Sequence, residues 1–255
     1  MTPLPPDFLL INKPAGWTSF DVVNFIRKKA RVDSGNKKIR VGHAGTLDPF
    51  ATGLLIVGVG REATKKLDEF KNLPKTYLAT IKLGATSDTG DVTGVITETP
   101  PSPSPLLRGG ESPSSIAMEG VGGGFAFGKE GLGEVSEKQI KKILKQFLGK
   151  QRQIPPMYSA KKIGGQRLYK LARAGKTIKR EPSEIEIYKI KLLSYDWPIL
   201  KIEVTCGAGT YIRTLAEDIG KKLGTMAYCQ ELTRTKIGPY ALEQTTDFRS
   251  KSPAA

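Results

Sequence analysis

The sequence is poor in the residues that cross-link small proteins or hold metals. It has two cysteines, Cys206 and Cys229, and a single histidine, His43. Neither cysteine has a second Cys or a His at metal-ligand spacing. No metal site and no disulfide framework is therefore expected, and a reducing compartment fits. Long apolar runs are missing too. Leu54 to Val57 is typical of the longest, far short of the roughly 20 residues that a helix needs to span a membrane. The opening stretch MTPLPPDFLLINKP has no basic segment followed by a long apolar run, so no signal peptide is expected. These absences make a cytoplasmic protein with no membrane partner the expectation. Neither GxxxxGK[ST] nor GxGxxG occurs, and no cofactor is called for.

Negative charge is scarce as well. The chain has 25 Asp and Glu against 40 Lys and Arg, a formal net charge of +15. Such an excess favours polyanionic partners. Between Lys150 and Arg180 stand Lys150, Arg152, Lys161, Lys162, Arg167, Lys170, Arg173, Lys176, Lys179 and Arg180, with no acidic residue among them. Gly164 and Gly165 allow close approach of a phosphate there, and Tyr158 and Tyr169 can stack on bases. The segment reads as an RNA grip, with Lys161, Lys162, Arg167, Lys170 and Arg173 as candidate backbone contacts.

What is present along the chain alternates between helical and extended patterns. Phe8–Ile11 reads as a buried strand and Asn12–Gly16 as a turn. Thr18 and Asp21 form a capping box ahead of Val22, Phe25 and Ile26. Leu54–Val59 reads as a buried strand. Tyr77, Ala79, Ile81 and Leu83 alternate with Thr76, Leu78, Thr80 and Lys82, as in a strand with one face inward. Thr86–Gly94 is loop-like. Residues 100–133 are dominated by Pro, Ser and Gly and read as a disordered or loosely packed insertion. Ser136 and Gln139 open a helix with a stripe of Ile140, Ile143, Leu144, Phe147 and Leu148, stopped by Gly149. Ile185–Leu193 and Leu200–Cys206 read as strands. Thr210 can cap a helix that turns Ile212, Leu215, Ala216, Ile219 and Leu223 inward. A last strand lies near Met226–Thr235, and residues 249–255 are expected to fray. The mixture lacks strict βαβ alternation, which points to an α+β fold with a mixed, largely antiparallel sheet flanked by helices.

The most informative stretch is GHAGTLDPFATG, Gly42 to Gly53. Pro49 restricts the backbone of Asp48 and helps to hold its carboxylate in one direction. Alone, Asp-Pro is a common turn former, and His43 a common loop residue. Other blocks change the weighting. GHAGTLDPFATGLL resembles the catalytic loop of bacterial tRNA pseudouridine-55 synthases, the TruB family. LINKPAGWTS from Leu10, KTYLA from Lys75, QIPPMYSAK from Gln153 and GAGTYIRTLAED from Gly207 resemble further motifs of that family, in order. Together they run from about residue 10 to residue 218.

The resemblance implies the pseudouridine-synthase fold over residues 1–248 and isomerisation of uridine 55 in the T-loop of tRNA. Asp48 would be the nucleophile, attacking the ribose C1′ or the uracil ring. A carboxylate suits this, being ionised at neutral pH and able to leave again. Arg213 would pair with it. Tyr77 would stack on the extruded uracil and take part in proton transfer. Tyr211 and Leu232 would complete the base pocket. His43 would hold the extruded nucleotide or fill the gap that it leaves, and Lys13 would support the loop or touch RNA. Tyr77, Asp48 and Arg213 are thus the expected catalytic set. The expected partner is the T-arm of tRNA, bound by a monomer with no protein partner. Family members usually carry a further RNA-binding domain of the PUA type, and this chain stops soon after Asp247-Phe248. A non-catalytic RNA chaperone and a guide-RNA-dependent, dyskerin-like synthase are the alternatives.

Overall fold

The computed structural model describes residues 4–98, 135–159 and 161–245, without the side chains of residues 162, 163, 167 and 173. The expected insertion at 100–133 and the tail at 249–255 lie outside the described residues. The chain opens with β1 (Phe8–Lys13), α1 (Ser19–Ser34), β2 (Val41–Ala44), β3 (Thr52–Val59) and α2 (Arg61–Lys71). Next come β4 (Lys75–Leu83), β5 (Ala85–Ser87), β6 (Ile96–Glu98), α3 (Glu137–Lys145) and β7 (Gly149–Gln153). The basic segment forms β8 (Lys162–Ile163), β9 (Gln166–Arg167) and α4 (Leu168–Arg173). The last elements are β10 (Ser183–Asp196), β11 (Ile199–Cys206), α5 (Ile212–Leu223), β12 (Ala227–Ile237) and β13 (Tyr240–Ala241). None of the helices among the described residues is long and apolar enough to cross a membrane.

Nine strands share one sheet in the order β1-β3-β12-β4-β11-β10-β7, with β2 paired to β3 and β13 to β12. All its ladders are antiparallel except the short β3–β12 contact, Thr233↔Thr52 and Arg234↔Gly53. This is the mixed, largely antiparallel sheet expected. The uninterrupted apolar run of β3 has a simple cause. Leu54 and Ile56 pack with Phe8, Leu67 and Phe70, while Leu55 and Val57 pack with Ile11, Val22 and Ile26. Both faces of the strand are buried, so no polar residue is spared for solvent. On β4 the alternation seen in the sequence holds. Tyr77, Ala79, Ile81 and Leu83 all enter the core that α3 and α5 cover.

Local signals survive where they are local. Both capping boxes form: the Thr18 hydroxyl accepts from the Asp21 N–H, and the Ser136 hydroxyl from the Gln139 N–H. Four expectations need correction. The α3 stripe ends at Phe147, and Leu148 is 47% exposed. Gln146 and Phe147 donate to Ile143 O and Leu144 O, three residues back, which tightens the last turn and swings Leu148 outward. Gly149 accordingly opens β7 instead of stopping the helix. Thr210 does not cap α5. Its hydroxyl donates to Gly207 O at 3.0 Å, and the N-cap residue is Tyr211. The segment Val41–Ala44 is a strand, and Ala85–Ser87, inside the expected loop region, pairs with β6.

The β3–β12 crossing leaves no room at Gly53. Its φ is +107°, and an added Cβ would lie 2.3 Å from Arg234 O and 2.6 Å from Arg234 N. Gly53→Ala should therefore destabilise by about 3 kcal/mol or more, combining backbone strain with a main-chain clash. Gly35, the left-handed C-cap of α1, has nothing within 4 Å of its would-be Cβ. Gly35→Ala should cost only about 1 kcal/mol. Urea midpoints of the two variants check the contrast, and equal losses would contradict the crossing described here.

Candidate active site

Asp48 sits on a loop between β2 and β3 that three buried side chains hold in place. Lys13 Nζ donates to Pro14 O (2.8 Å), Trp17 O (2.7 Å) and Pro49 O (3.3 Å). Ser19 Oγ accepts from Leu47 N at 2.8 Å and lies 3.2 Å from Leu47 O. Arg234 donates from Nη2 to Gly45 O (3.1 Å) and from Nε to Leu54 O (2.7 Å), gripping the loop at both ends. The loop is thus tied to β1, α1 and β12 before any ligand arrives.

Opposite Asp48, α5 presents Arg213 in its first turn. Arg213 is 3% exposed, and its Nε stands 2.8 Å from Asp48 Oδ2. Nη1 lies 3.4 Å from Asp91 Oδ2 and donates to Thr89 O (2.8 Å), while Nη2 donates to Tyr158 O (2.7 Å). The guanidinium is therefore held from three sides. Asp91 is itself fixed: its Oδ1 accepts from Thr89 Oγ1 (3.0 Å) and from Thr93 N (2.9 Å). The start of α5 is also clamped. Tyr211 N donates to Gln153 Oε1 (2.8 Å), and Gln153 Nε2 donates back to Tyr211 O (3.0 Å). Burial pushes the Asp48 carboxyl above the usual carboxylate range, the Arg213 guanidinium pulls it back down, and Asp91 pushes it up again. The result is a partly desolvated carboxylate beside a fixed cation, the setting of an activated nucleophile.

A cavity of about 260 Å³ opens beside this pair, just below the size of typical small-ligand sites of roughly 300–1,000 Å³. Asp48, Tyr77, Tyr211, Arg213 and Leu232 all line it. Five of the sequence-predicted residues, drawn from β4, β12, α5 and two loops, thus meet in one place. Tyr77 is buried, and burial raises its phenol above the ordinary tyrosine value. A larger cavity of about 560 Å³ lies beyond Thr89 and Tyr158, the residues whose carbonyls hold Arg213; Asp48 and Tyr77 take no part in it.

Two predicted residues stand outside the cavity wall. Lys13 is 0% exposed and turned onto loop carbonyls, which fits the loop-supporting one of its two expected roles. Burial lowers its pKa to about 8, and Asp48 is the main opposing charge. His43 lies on β2 opposite Val57. Burial, then Arg234 and Lys71, lower it to about 4, so it is neutral at pH 7. The basic segment leaves the sheet after β7 and returns at β10, which pairs Gln153 with Ser183. Residues 154–182 are therefore one excursion between neighbouring strands. Lys170 is exposed on it, whereas Lys161 Nζ is bonded to Ser183 Oγ.

Sequence reasoning missed Asp91, Gln153, Ser159, Lys75 and Arg234 as parts of the site or its supports. Asp91 lay in TSDTGDVTG, which reads as an ordinary polar turn. Arg234 offered one signal, a lone arginine between threonines on an otherwise inward-facing strand.

The comparisons agree with this geometry. The family profile described as "TruB family pseudouridylate synthase (N terminal domain)" matches residues 29–108 and 126–212. A second, "tRNA pseudouridylate synthase B C-terminal domain", matches residues 213–250, which contribute α5, β12 and β13 to the same fold. A protein of Parabacteroides distasonis named tRNA pseudouridine synthase B is 40% identical over 237 residues, 93% of this chain and 88% of that protein. One of the same name from Syntrophomonas wolfei is 40% identical over 241 residues, 93% of this chain and 68% of that protein. Among solved structures, a chain in a crystal structure of a Cbf5–Nop10–Gar1 complex superposes with a TM-score of 0.63 at 25% identity. It is matched over 95% of this chain, which spans 52% of that longer one. With the profile matches, the 40% identity and the Asp48–Arg213 pair within the matched motifs, the chain belongs to the TruB family of pseudouridylate synthases.

Proposed function

We propose that this chain converts uridine 55 in the T-loop of tRNA to pseudouridine, as a single catalytic domain over residues 1–248 that needs no guide RNA. The observation that carries the reading is the pairing of half-buried Asp48 with buried Arg213, 2.8 Å apart, at the wall of a cavity shared with Tyr77, Tyr211 and Leu232. Identity of 40% with proteins named tRNA pseudouridine synthase B favours a stand-alone enzyme over a guide-dependent one, set against 25% with the Cbf5-complex chain.

In this reading the T-loop uridine leaves the stack and enters the cavity, at a cost of roughly a few kcal/mol that stacking and phosphate contacts offset. Tyr77 and Leu232 sandwich the ring. The Asp48 carboxylate attacks the ribose C1′ or the ring. The N1–C1′ bond breaks, the base turns, and a C5–C1′ bond forms. C5 loses its hydrogen and N1 gains one, so the reaction balances without a redox partner or external group. Tyr77 lines the same cavity, and its hydroxyl serves as the proton-handling group. Arg213 keeps the carboxylate ionised and aimed. Lys13 and the carbonyls it binds keep the loop in shape. The excursion at 154–182 supplies the phosphate contacts. The chain acts on the T-arm as a monomer in the cytoplasm.

Asp48→Asn should abolish pseudouridine formation, by roughly a thousandfold or more, because the amide is nearly isosteric but a poor nucleophile. Binding of tRNA should stay within about threefold. Carbodiimide-blocked primer extension on an unmodified transcript reads the first outcome and a filter-binding Kd the second; turnover by the variant would refute the role.

The pH profile carries the sign of the Asp48 shift. Protonation removes the nucleophile, and the folded carboxyl takes up its proton above the usual carboxylate range. Single-turnover rates should therefore fall on the acid side with a midpoint above the ordinary Asp value of about 3.9. A rate unchanged down to that value would contradict the desolvated environment.

Salt should report the basic excursion. If about six of its cations meet phosphates, affinity should drop roughly a thousandfold between about 50 and 200 mM salt. Neutralising Lys161, Lys162, Arg167 and Lys170 together should flatten the slope of log Kd against log salt. An unchanged slope would place the RNA path elsewhere.

A further inference from the structure

The cavity beside Asp48 holds more positive charge than the catalytic pair uses. Lys71, Lys75, Arg213 and Arg234 line it, against the single carboxylate of Asp48. Arg213 is engaged by Asp48 and Asp91, and Lys71 pairs with Asp68 on the exposed side of α2. Lys75 and Arg234 differ. They are 6% and 1% exposed, and neither has a carboxylate partner among the described residues. Lys75 Nζ is bonded to Lys71 O, and Arg234 donates to Leu54 O and Gly45 O. Carbonyls satisfy N–H groups but leave both charges without a counter-charge. Buried charge in that state is costly and favours any anion that can enter. Burial and then repulsion from Arg234 lower Lys75 to about 8, so in the free protein its charge is only just kept at neutral pH.

Position says which anion. Lys75 opens β4, two residues before Tyr77 on the same strand face, so the two side chains stand about 7 Å apart. That is comparable to the span from a pyrimidine ring to the phosphate of its own nucleotide. Across the sheet, Lys75 is in register with Cys206, the last residue of β11. The loop Gly207–Thr210 follows and forms the adjoining wall of the cavity. Nothing lies within 4 Å of the would-be Cβ of Gly209, so its backbone is open to a ligand.

We propose that Lys75, backed by Arg234 and flanked by the Gly207–Thr210 loop, is a phosphodiester subsite that takes one of the two phosphates adjoining the uridine held at Tyr77. The inference rests on the RNA-modifying reading of the cavity and names a contact separate from the basic excursion.

The test measures Kd for a T-arm hairpin, natural or with a neutral methylphosphonate on one side or the other of the target uridine, at fixed salt and pH 7. Neutralising the correct phosphate should weaken wild-type binding about tenfold, and the other position less than about threefold. Lys75→Met should weaken the natural hairpin by about the same tenfold and abolish the difference between natural and neutralised RNA; Lys75→Arg should retain that difference. Penalties that multiply in Lys75→Met, or no penalty at either phosphate, would overturn the subsite. If Lys75→Met does not fold, as judged by circular dichroism, wild-type protein gives the same answer between pH 7 and 10. The gap between natural and neutralised hairpins should close as Lys75 loses its proton. The groups that face it are Arg234, Cys206 at about 11, Tyr77, raised above its ordinary value, and Lys71, with Asp48 farther along the cavity. A gap independent of pH would overturn it as well. Every arm reads binding. Loss of pseudouridine formation with the phosphate coupling intact would therefore count against the enzymatic reading alone, and the reverse against the subsite alone.

Discussion

The site depends on how one buried guanidinium is shared. Arg213 is almost inaccessible and meets two carboxylates and two main-chain carbonyls. The four partners come from three parts of the chain: Asp48 from the β2–β3 loop, Thr89 and Asp91 from the turn after β5, and Tyr158 from the basic excursion. A charge this deeply placed is tolerated only where opposite charge and carbonyl oxygens surround it. Folding must therefore bring those segments together around the guanidinium, and the cation in turn makes it tolerable to hold the Asp48 carboxylate partly away from bulk water.

The remaining architecture can be read as support for that arrangement. The loop that carries Asp48 hangs between a buried lysine and a buried arginine, neither of which touches the Asp48 carboxylate directly. Both cations are bonded to carbonyls, so they fix backbone and leave the carboxylate to Arg213. The reciprocal bonds between Gln153 and Tyr211 join the edge strand β7 to the start of α5. Through them the sheet edge that carries the basic excursion and the helix that carries the arginine share one anchor. Rigid placement of this kind lowers the reorganisation that a reaction must otherwise supply.

How much of this was legible in the sequence follows from the range of each interaction. The capping boxes at Thr18 and Ser136 and the alternation on β4 are set within a few residues, and they were readable. The β3 run was readable as buried, though not as buried on both faces, because only the fold decides what lies above and below a strand. The motif residues Asp48, Tyr77, Tyr211, Arg213 and Leu232 came from resemblance, and they converge on one cavity. Arg234 and Asp91 were not readable. Arg234 reaches carbonyls 180 and 189 positions away, and Asp91 pairs with Arg213, 122 positions on. No local pattern encodes such pairings. Lys13 left two roles open in the sequence, loop support or contact with RNA, because a lysine in a turn normally points to water, and here the turn closes around it.

The excursion at residues 154–182 is closed at its neck and tied to the body of the protein. Arg180 donates to Pro155 O across its neck, and Tyr158 O accepts from Arg213. If the arm swung free of the body, a buried cationic N–H would lose its acceptor, a loss of roughly 1–3 kcal/mol or more. The arm is therefore spring-loaded toward the body of the protein: the same hydrogen bond that steadies the arginine sets a floor under the work of lifting the grip. The position of the arm and the alignment of the Asp48 carboxylate are in this way two readings of one equilibrium, so whatever displaces the arm also loosens the cation on which that carboxylate leans.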